Sequence, residues 1–214
     1  MLASFRLGDI EVRNFPVSWG TASGPVLPGG PTPVGTIGTV LFYHFLTTMD
    51  YAGRGLILRQ RSEAGLRRFE ATARRAGVSP LPLWLAATHF PCTLGSLNNF
   101  GPRVVSFDTG GARIGLSCTE EVAQQAGIAV DHEHPTLSNG MMLPSISPDA
   151  ISMGDAVGRH VPGVVTTRLP GIGENGFRFQ TIGNFTHEFF KPFAITFDFV
   201  RMNFYISQTP PDHG

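Results

Sequence analysis

Charged residues are scarce in this 214-residue chain, at 15%, and its 16 basic residues are balanced by 16 acidic ones. A chain without an excess of either sign has no long-range field that would attract nucleic acid or an anionic membrane surface. The composition therefore argues against a nucleic-acid-binding protein and against a membrane protein that attaches through charge.

Cysteine is also scarce. The chain has two, Cys92 and Cys118, which is too few for a disulfide framework. A free cysteine packs like a small apolar side chain, so we expect two buried thiols. Pairing between these two residues stays open at this stage.

Long apolar runs are missing as well. The N-terminus has no apolar run of signal-peptide length, and a secreted or cell-envelope location would require a signal upstream of Met1. Residues 14–49 contain no charged side chain, but five prolines and several glycines interrupt them. A helix of ~20 residues that crosses lipid does not tolerate so many breaks. We predict a loop that leads into buried strands, and no membrane span.

Turn-forming and aromatic residues are abundant, with 26 Gly, 17 Pro and 17 Phe. Short apolar runs between turns predict a mostly β fold. Residues 61–78 are an exception, because Leu66, Phe69 and Ala73 fall on one helical face and Ser62 can cap the start. The arginines of this segment favour a solvated helix face between two lobes over a nucleic-acid contact.

Two shorter segments complete the secondary-structure prediction. Ser117–Glu120 fits a capping box, which predicts a short helix that ends at Gly127. Residues 131–148 are polar with Gly, Pro and Met, and we interpret them as a loop.

One pattern occurs twice in the chain. Residues 4–19 align with 150–165 at an offset of 146, and residues 41–58 align without gaps with 189–206 at an offset of 148. The identical pairs are Gly8/Gly154, Asp9/Asp155, Arg13/Arg159 and Pro16/Pro162, then Phe42/Phe190, Phe45/Phe193, Thr48/Thr196 and Asp50/Asp198. Two blocks in the same order at nearly the same offset indicate a duplicated half-domain.

The two copies differ in what precedes them. Residues 81–149 precede the second copy and carry Asp108-Thr109-Gly110, whereas three residues precede the first. We therefore expect a bilobal protein whose first lobe lacks its opening part. The expected divisions are an incomplete first lobe at 1–60, a helical linker at 61–79, a complete second lobe at 80–208 and a tail at 209–214.

The candidate chemistry lies at the end of an apolar strand. Residues 104–107 deliver Asp108 to a turn that contains two glycines, where backbone N–H groups can approach the carboxylate and Thr109 can hydrogen-bond beneath it. An Asp at a strand end is usually a turn former. The apolar strand before it and Thr181-Ile182-Gly183 after it favour a functional role.

These segments resemble bacterial members of the retropepsin/pepsin-like aspartyl protease clan. In that clan each lobe runs from a strand through Asp-Thr-Gly and a flap hairpin to an apolar-apolar-Gly strand and a closing hairpin. The matching segments of the second copy are FDTGG at 107–111, MGD at 153–155, TIG at 181–183 and ITFDF at 195–199. Those of the first copy are LGD at 7–9, TIG at 36–38 and TTMDY at 47–51.

The resemblance implies a pepsin/retropepsin-like barrel of two lobes related by a pseudo-twofold, the first of them incomplete. It also implies an aspartic endopeptidase in which Asp108 is a catalytic aspartate, Thr109 its supporting hydroxyl and Gly110 the turn glycine. The implied substrate is a peptide or protein, and no cofactor or metal is implied. The substrate-binding residues stay unassigned.

Such enzymes need two carboxylates, and this sequence has one Asp-Thr-Gly. The chain alone is therefore expected to be inactive. Three interpretations stay open: upstream residues supply the second aspartate, a homodimer brings two copies of Asp108 together, or the chain is a non-catalytic, peptide-binding or relic β-domain.

Two weaker motifs are interpreted as incidental. Residues 131–134, Asp-His-Glu-His, have acids and histidines at a spacing compatible with a metal, but adjacent residues on an extended chain cannot all converge, and no third ligand group is in view. Asn184-Phe185-Thr186 fits a glycosylation acceptor, but it adjoins the strand expected beside Asp108.

The duplication and the family resemblance predict where particular residues lie. Gly183 should lie close to Asp108, because the apolar-apolar-Gly strand packs beside the Asp-bearing loop in this clan, and the two copies should have the same topology about a pseudo-twofold axis. Phe42, Phe45 and Leu56 should be less covered than their equivalents Phe190, Phe193 and Phe204, because the first copy lacks its neighbours.

Overall fold

The computed structural model describes residues 1–17, 35, 37–86, 90–111, 113–138, 140–167, 169 and 179–211. These fall into two compact units, Met1–Gly38 and Thr39–Gly214. Thr36 and residues 18–34 of the segment predicted as a loop lie outside the described residues. The division into lobes at residues 60 and 80 stays a prediction.

Strands make up 47% of the described residues and helices 15%, so the prediction of a mostly β fold is confirmed. The strands are β1 (Leu2–Leu7), β2 (Ile10–Phe15), β3 (Phe45–Asp50), β4 (Gly55–Gln60), β5 (Leu81–Pro82), β6 (Trp84–Ala86), β7 (Phe90–Leu97), β8 (Phe100–Phe107), β9 (Leu116–Cys118), β10 (Val130–Ser138), β11 (Met141–Ile146), β12 (Ile151–Met153), β13 (Ala156–Gly158), β14 (Gly163–Val165), β15 (Asn184–Phe185), β16 (Ala194–Asp198) and β17 (Asn203–Ser207). The helices are α1 (Thr39–Phe42), α2 (Glu63–Arg75), α3 (Glu120–Gln125) and α4 (His187–Phe190).

The second unit contains two sheets. The larger one has the order β10-β11-β14-β9-β15-β8-β7-β12-β13, with β6 also paired to β7. Its β14–β9 and β15–β8 pairs are parallel, and its other pairs are antiparallel. The smaller sheet is antiparallel with the order β4-β3-β16-β17-β5, so it contains hairpins from both copies of the repeat.

The two copies meet at β3 and β16 in a register that defines a local twofold axis. Thr48 pairs with Thr196, and the pairs on either side are Met49 with Ile195 and Thr47 with Phe197. The repeat offset of 148 makes Met49 equivalent to Phe197 and Ile195 equivalent to Thr47, so the two flanking pairs are equivalent to each other. The hydroxyls of Thr48 and Thr196 lie 2.7 Å apart and are buried. The axis therefore passes between these two threonines.

Secondary structure repeats around this axis. Helix α1 matches α4, hairpin β3–β4 matches β16–β17, and each element begins within one residue of its partner's position at the offset of 148. Both hairpin turns are closed by an Asp side chain: Asp50 Oδ1 accepts from the Gly53 N–H at 2.8 Å, and Asp198 Oδ1 accepts from the Arg201 N–H at 3.1 Å. The prediction that residues 41–58 and 189–206 share one topology is confirmed.

Rare backbone conformations repeat as well. Side chains disfavour positive φ, so an unusual φ at equivalent positions is a sensitive sign of common geometry. The pairs are Gly8 (56°) with Gly154 (55°), Asn14 (51°) with His160 (49°), and Arg54 (56°) with Met202 (53°). The first of these pairs opens the two-residue turns of the β1–β2 and β12–β13 hairpins, where glycine adopts positive φ without steric cost.

Burial differs between the copies in the predicted direction. Leu56 of β4 is 44% exposed, whereas its equivalent Phe204 in β17 is fully buried. Phe45 is half-buried and Phe193 is buried. Phe42 is 8% exposed and Phe190 is 0% exposed. The prediction that the first copy is less covered is confirmed for all three pairs.

Two details of the secondary-structure prediction were wrong. Residues 131–148 form most of the β10–β11 hairpin instead of a loop, because strand pairing satisfies the backbone of a segment whose side chains are mostly exposed. The short helix α3 was correctly expected, but its cap is Thr119 instead of Ser117. The Thr119 hydroxyl accepts the Val122 N–H at 3.3 Å, while Ser117 lies in β9.

The helix predicted within residues 61–78 is confirmed as α2. Ser62 caps α2 by accepting the Gly65 N–H at 3.1 Å, and Leu66, Phe69 and Ala73 are its buried residues. None of the helices in the described ranges is long and apolar enough to cross a membrane.

Candidate active site

Strand pairing positions Asp108 at the end of β8. Strand β15 runs parallel to β8, with Asn184 beside Ser106 and Phe185 beside Phe107. The N–H of Asp108 donates to the Phe185 carbonyl at 2.9 Å, and the N–H of Ser106 donates to Gly183 at 3.0 Å. Gly183 therefore contacts the Asp-bearing strand at Ser106, and Phe185 is the residue that bonds to Asp108 itself.

The loop after β8 holds the carboxylate. Asp108 Oδ1 accepts the Gly110 N–H at 2.8 Å, and the Asp108 carbonyl accepts the Gly111 N–H at 3.4 Å. Asp108 and Thr109 are half-buried. Among the described hydrogen bonds, none joins the Thr109 hydroxyl to Asp108. The carboxylate is thus oriented by the backbone of its own turn.

Helix α4 ties down the far end of the same loop. The N–H of His187 donates to the Gly111 carbonyl at 3.0 Å, and the N–H of Glu188 donates to Ile114 at 3.1 Å. Thr186 donates its N–H to Gly115 at 2.9 Å. The loop that begins at Asp108 is therefore held by backbone bonds to β15 on one side and to α4 on the other.

An aromatic cluster surrounds Phe107, the residue that precedes Asp108 in the chain. Phe107 is fully buried, and its ring centroid lies 5.7 Å from that of Phe190, 5.9 Å from Phe197 and 4.7 Å from Phe204. Packed aromatic rings at these separations form a rigid apolar floor. The floor fixes the strand end from which Asp108 projects.

Tyr51 connects the first copy to the Asp108 loop. It follows β3, and its hydroxyl donates to the Thr109 carbonyl over a long 3.4 Å. Its ring stands edge-on to His187 at 5.3 Å and stacks on Phe190 at 6.2 Å. Burial raises the pKa of the Tyr51 phenol to about 12, and the charge of Asp108 adds to this rise. The phenol therefore remains a proton donor throughout the acid and neutral range.

Sequence reasoning did not single out Tyr51. A signal for it exists, because the repeat offset of 148 aligns Tyr51 with Phe199. Each is an aromatic residue directly after the Asp that closes its hairpin turn. An aromatic side chain at both positions indicates a shared packing role near the twofold axis.

A pocket of about 140 Å³ opens beside the carboxylate. Side chains from both copies line it, and most of them are apolar. They are Thr39, Phe42, Met49, Phe90, Pro91, Phe107, Asp108, Thr109 and Phe197. Met49 and Phe197 are equivalent residues on opposite sides of the twofold axis, so Asp108 borders a pocket that straddles the axis.

The two loop glycines have different surroundings. Neither Gly110 nor Gly111 has positive φ, so backbone conformation alone does not require glycine at either position. A Cβ on Gly111 would lie 2.8 Å from Thr186 Cγ2 and 2.9 Å from Thr186 Cβ, whereas the nearest atom to a Cβ on Gly110 is Asp108 Oδ1 at 3.3 Å. Of the two positions, Gly111 is therefore the one at which a side chain would clash and glycine is required.

We expect Gly111→Ala to lower the free energy of unfolding by about 1–3 kcal/mol, the usual cost of overpacking. Gly110→Ala is the matched control and should change it by less than about 1 kcal/mol, because its loop position is exposed. Urea titrations of both variants measure the difference. Equal losses would show that Thr186 does not confine the loop.

Other sequence candidates lie elsewhere. Residues 131–134 belong to β10, where Asp131 accepts the backbone N–H groups of Glu133 and His134 and contacts the His134 ring at 2.9 Å. His132 approaches Glu120 at 3.4 Å. The described residues contain no group of three or more His, Cys, Asp or Glu side chains arranged to hold a metal.

The two cysteines and the glycosylation motif at Asn184 are buried. Cys92 and Cys118 are free thiols, and burial raises their pKa values to about 11 and about 12. Both thiols therefore stay protonated and unreactive at neutral pH. Asn184 is 4% exposed and accepts from the Ser106 hydroxyl at 3.0 Å, which leaves no room for a glycan. Both expectations are confirmed.

No protein-family profile and no curated protein sequence matches the chain. Similar solved structures include a retropepsin-like aspartic protease from Rickettsia conorii, at 16% identity and a TM-score of 0.41, with 60% of this chain and 90% of that one covered. Another is Basic 7S globulin from soybean, at 11% identity and a TM-score of 0.37. That match covers 81% of this chain and 53% of the globulin.

Proposed function

We propose that this chain carries one half of the active site of an aspartic endopeptidase, with Asp108 as one of two catalytic carboxylates. The observation that carries the proposal is the twofold axis between Thr48 and Thr196. A twofold axis next to a loop that carries a carboxylate can place a second, equivalent loop opposite the first. Asp108 borders the pocket that straddles this axis.

The proposed chemistry needs both carboxylates. Like charges a few ångströms apart cannot both ionise, so the pair shares one proton. The ionised carboxylate takes a proton from a water, whose oxygen then attacks the peptide carbonyl carbon. The protonated carboxylate gives its proton to the carbonyl oxygen as negative charge develops there. Thr109 and Gly110 belong to the loop that orients Asp108.

The loop of Asp108 suits this role because its position is fixed before substrate arrives. Backbone bonds to β15 and α4 restrain both ends of the loop, and Phe107, the residue before Asp108, is packed in an aromatic cluster. A preorganised carboxylate loses little free energy to reorganisation in the transition state. A peptide or protein is the proposed substrate.

The second carboxylate would come from another half-domain. Upstream residues of a longer polypeptide fit this role better than a second copy of the chain. If two molecules of this chain formed a dimer, the elements of the first repeat that flank the axis in each molecule would have to move away from it. Only then could the two Asp108 loops meet. A peptide-binding β-domain without catalysis is the competing function, and it is favoured by the fact that Asp108 is the single carboxylate in the described lining of the pocket.

Assays of the 214-residue chain test the chemistry. Incubated with a quenched fluorescent peptide library at acid pH, the chain is expected to cleave no faster than its Asp108→Asn variant, because one carboxylate cannot serve as both base and acid. The variant keeps size and shape, so folding is preserved. Robust cleavage by the monomer that persists in Asp108→Asn would show that the assigned chemistry is wrong.

A further inference from the structure

A second pocket lies where the chain leaves α2 and turns toward β5. Its volume is about 360 Å³, within the range of about 300–1,000 Å³ that is usual for small-molecule sites. The last turns of α2, the connection to β5 and strand β17 all contribute to it. Its polar lining side chains are Glu70, Arg74, Ser79, Asn203 and Tyr205.

Strand β17 separates this pocket from the candidate active site. Successive residues of a strand point to opposite faces of the sheet. Phe204 packs on Phe107, the neighbour of Asp108, at a centroid distance of 4.7 Å. Tyr205 instead stands edge-on to Phe69 of α2 at 5.1 Å. A ligand in contact with Tyr205 therefore lies on the face of the sheet opposite to the Asp108 half-site.

The ion pairs near the pocket leave one guanidinium unbalanced. Glu70 lies 3.2 Å from Arg201. Arg201 also contacts Glu63 at 2.7 Å, and Glu63 pairs with Arg67 at 2.9 Å. Arg74 takes part in none of the ion pairs that the described residues form. The carboxylate of Glu70 is thus already partnered, and the uncompensated charge at the pocket is positive.

The remaining polar groups also favour an anion. Tyr205 is 2% exposed, and burial, with a smaller effect of the charges of Glu70 and Asp198, raises the pKa of its phenol to about 12. The phenol therefore stays protonated, and the Ser79 hydroxyl and the Asn203 amide are further hydrogen-bond donors.

The end of α2 does not cancel this preference. The partial negative charge of a helix C-terminus resides on its unpaired carbonyls and repels anions. Here the carbonyls of residues 72–74 accept the N–H groups of residues 76–78 at 2.9–3.0 Å. These carbonyls are therefore satisfied locally.

We propose that this pocket binds a small organic carboxylate with an apolar body. The Arg74 guanidinium takes the carboxylate, because its parallel N–H groups match the two carboxylate oxygens. The apolar body packs on the Tyr205 ring and on Val78, which belong to one apolar cluster. The site uses none of the residues assigned to peptide hydrolysis, so it stands or falls independently of that function.

Tyrosine ring signals show where such a ligand binds. The chain has three tyrosines, Tyr43, Tyr51 and Tyr205. The full chain, labelled with ¹³C in its tyrosine rings, is titrated with isocaproate. Isocaproamide is the matched neutral control, acetate lacks the apolar body, and inorganic phosphate tests for a site that accepts any anion. Tyr51 contacts the Asp108 loop and reports on a ligand that enters the candidate active site instead.

The expected result is a shift of the Tyr205 signals while those of Tyr43 and Tyr51 stay unchanged. Isocaproate should bind at least about tenfold tighter than its amide, acetate or phosphate. Arg74→Gln should weaken isocaproate binding by about tenfold or more. The matched control is Arg75→Gln, which should change it by less than about twofold, because Arg75 is exposed and bonds to the Thr72 hydroxyl.

Four results would overturn the proposal. One is a Tyr205 signal that does not respond to isocaproate, and another is a response of Tyr51 in its place. A third is an affinity for isocaproamide or phosphate equal to that for isocaproate. The fourth is an equal loss of binding in Arg74→Gln and Arg75→Gln. Both arginines are exposed, so the variants keep the fold, which circular dichroism checks.

Discussion

A form of this protein that also carries a second Asp-Thr-Gly half-domain is expected to cleave peptides with an acid optimum, and Asp108→Asn should lower its kcat/KM by about 10²–10⁴-fold. Activity requires the singly protonated pair. It should therefore fall at lower pH, where both carboxylates are protonated, and at higher pH, where both are ionised. Initial rates across a pH series measure this profile.

The control for this experiment is a variant outside the site. Glu63 is on α2, and its side chain pairs with Arg67 at 2.9 Å on the surface. Glu63→Gln should leave the pH profile unchanged, since an exposed ion pair contributes little to stability. Activity in the extended form that survives Asp108→Asn would contradict the assignment of Asp108.

Phe107→Ala is expected to lower the free energy of unfolding by about 3–5 kcal/mol. The ring is fully buried and contacts three other aromatic rings, so its removal leaves a cavity that the surrounding sheets cannot close. A domain is stable by about 5–15 kcal/mol in total, so this loss is a large part of the whole. Guanidinium titration followed by circular dichroism provides the measurement.

Phe45→Ala is the matched comparison, because Phe45 is half-buried and lies in the less covered copy. It should cost less than about 2 kcal/mol, in proportion to the smaller apolar area removed from water. If the two variants lost equal stability, the aromatic cluster around Phe107 would not be the centre of the core.

The repeat offset predicted much of what the structure shows. The offset of 148 makes Thr48 and Thr196 equivalent, and antiparallel strands from equivalent hairpins pair most simply about a twofold axis; the structure then selects this pair over its neighbours. The strand before Asp108 was predictable because apolar residues followed by Asp-Thr-Gly-Gly mark a buried strand that ends in a turn. Local signals of this kind depend on residues close in sequence.

Other features depend on partners far away in the chain. The β10–β11 hairpin was interpreted as a loop because its residues are polar, and pairing with β14 is what stabilises it. The parallel pairing of β15 with β8 joins residues nearly 80 positions apart, and no local pattern specifies it. The contact of Tyr51 with Thr109 likewise needs both copies in place.

The most direct test of the account is a disulfide across the twofold axis. Residues paired on antiparallel strands have Cα atoms about 4.5–5.5 Å apart, which suits a disulfide, and the Thr48 and Thr196 hydroxyls lie on the same face at 2.7 Å. The variant Thr48→Cys with Thr196→Cys should lose both new thiols on mild oxidation, as measured by alkylation and mass spectrometry. Thr47→Cys with Thr196→Cys should keep them, because Thr47 points to the opposite face. Free thiols in the first variant, or a bridge in the second, would contradict a chain built from two copies that meet at this axis.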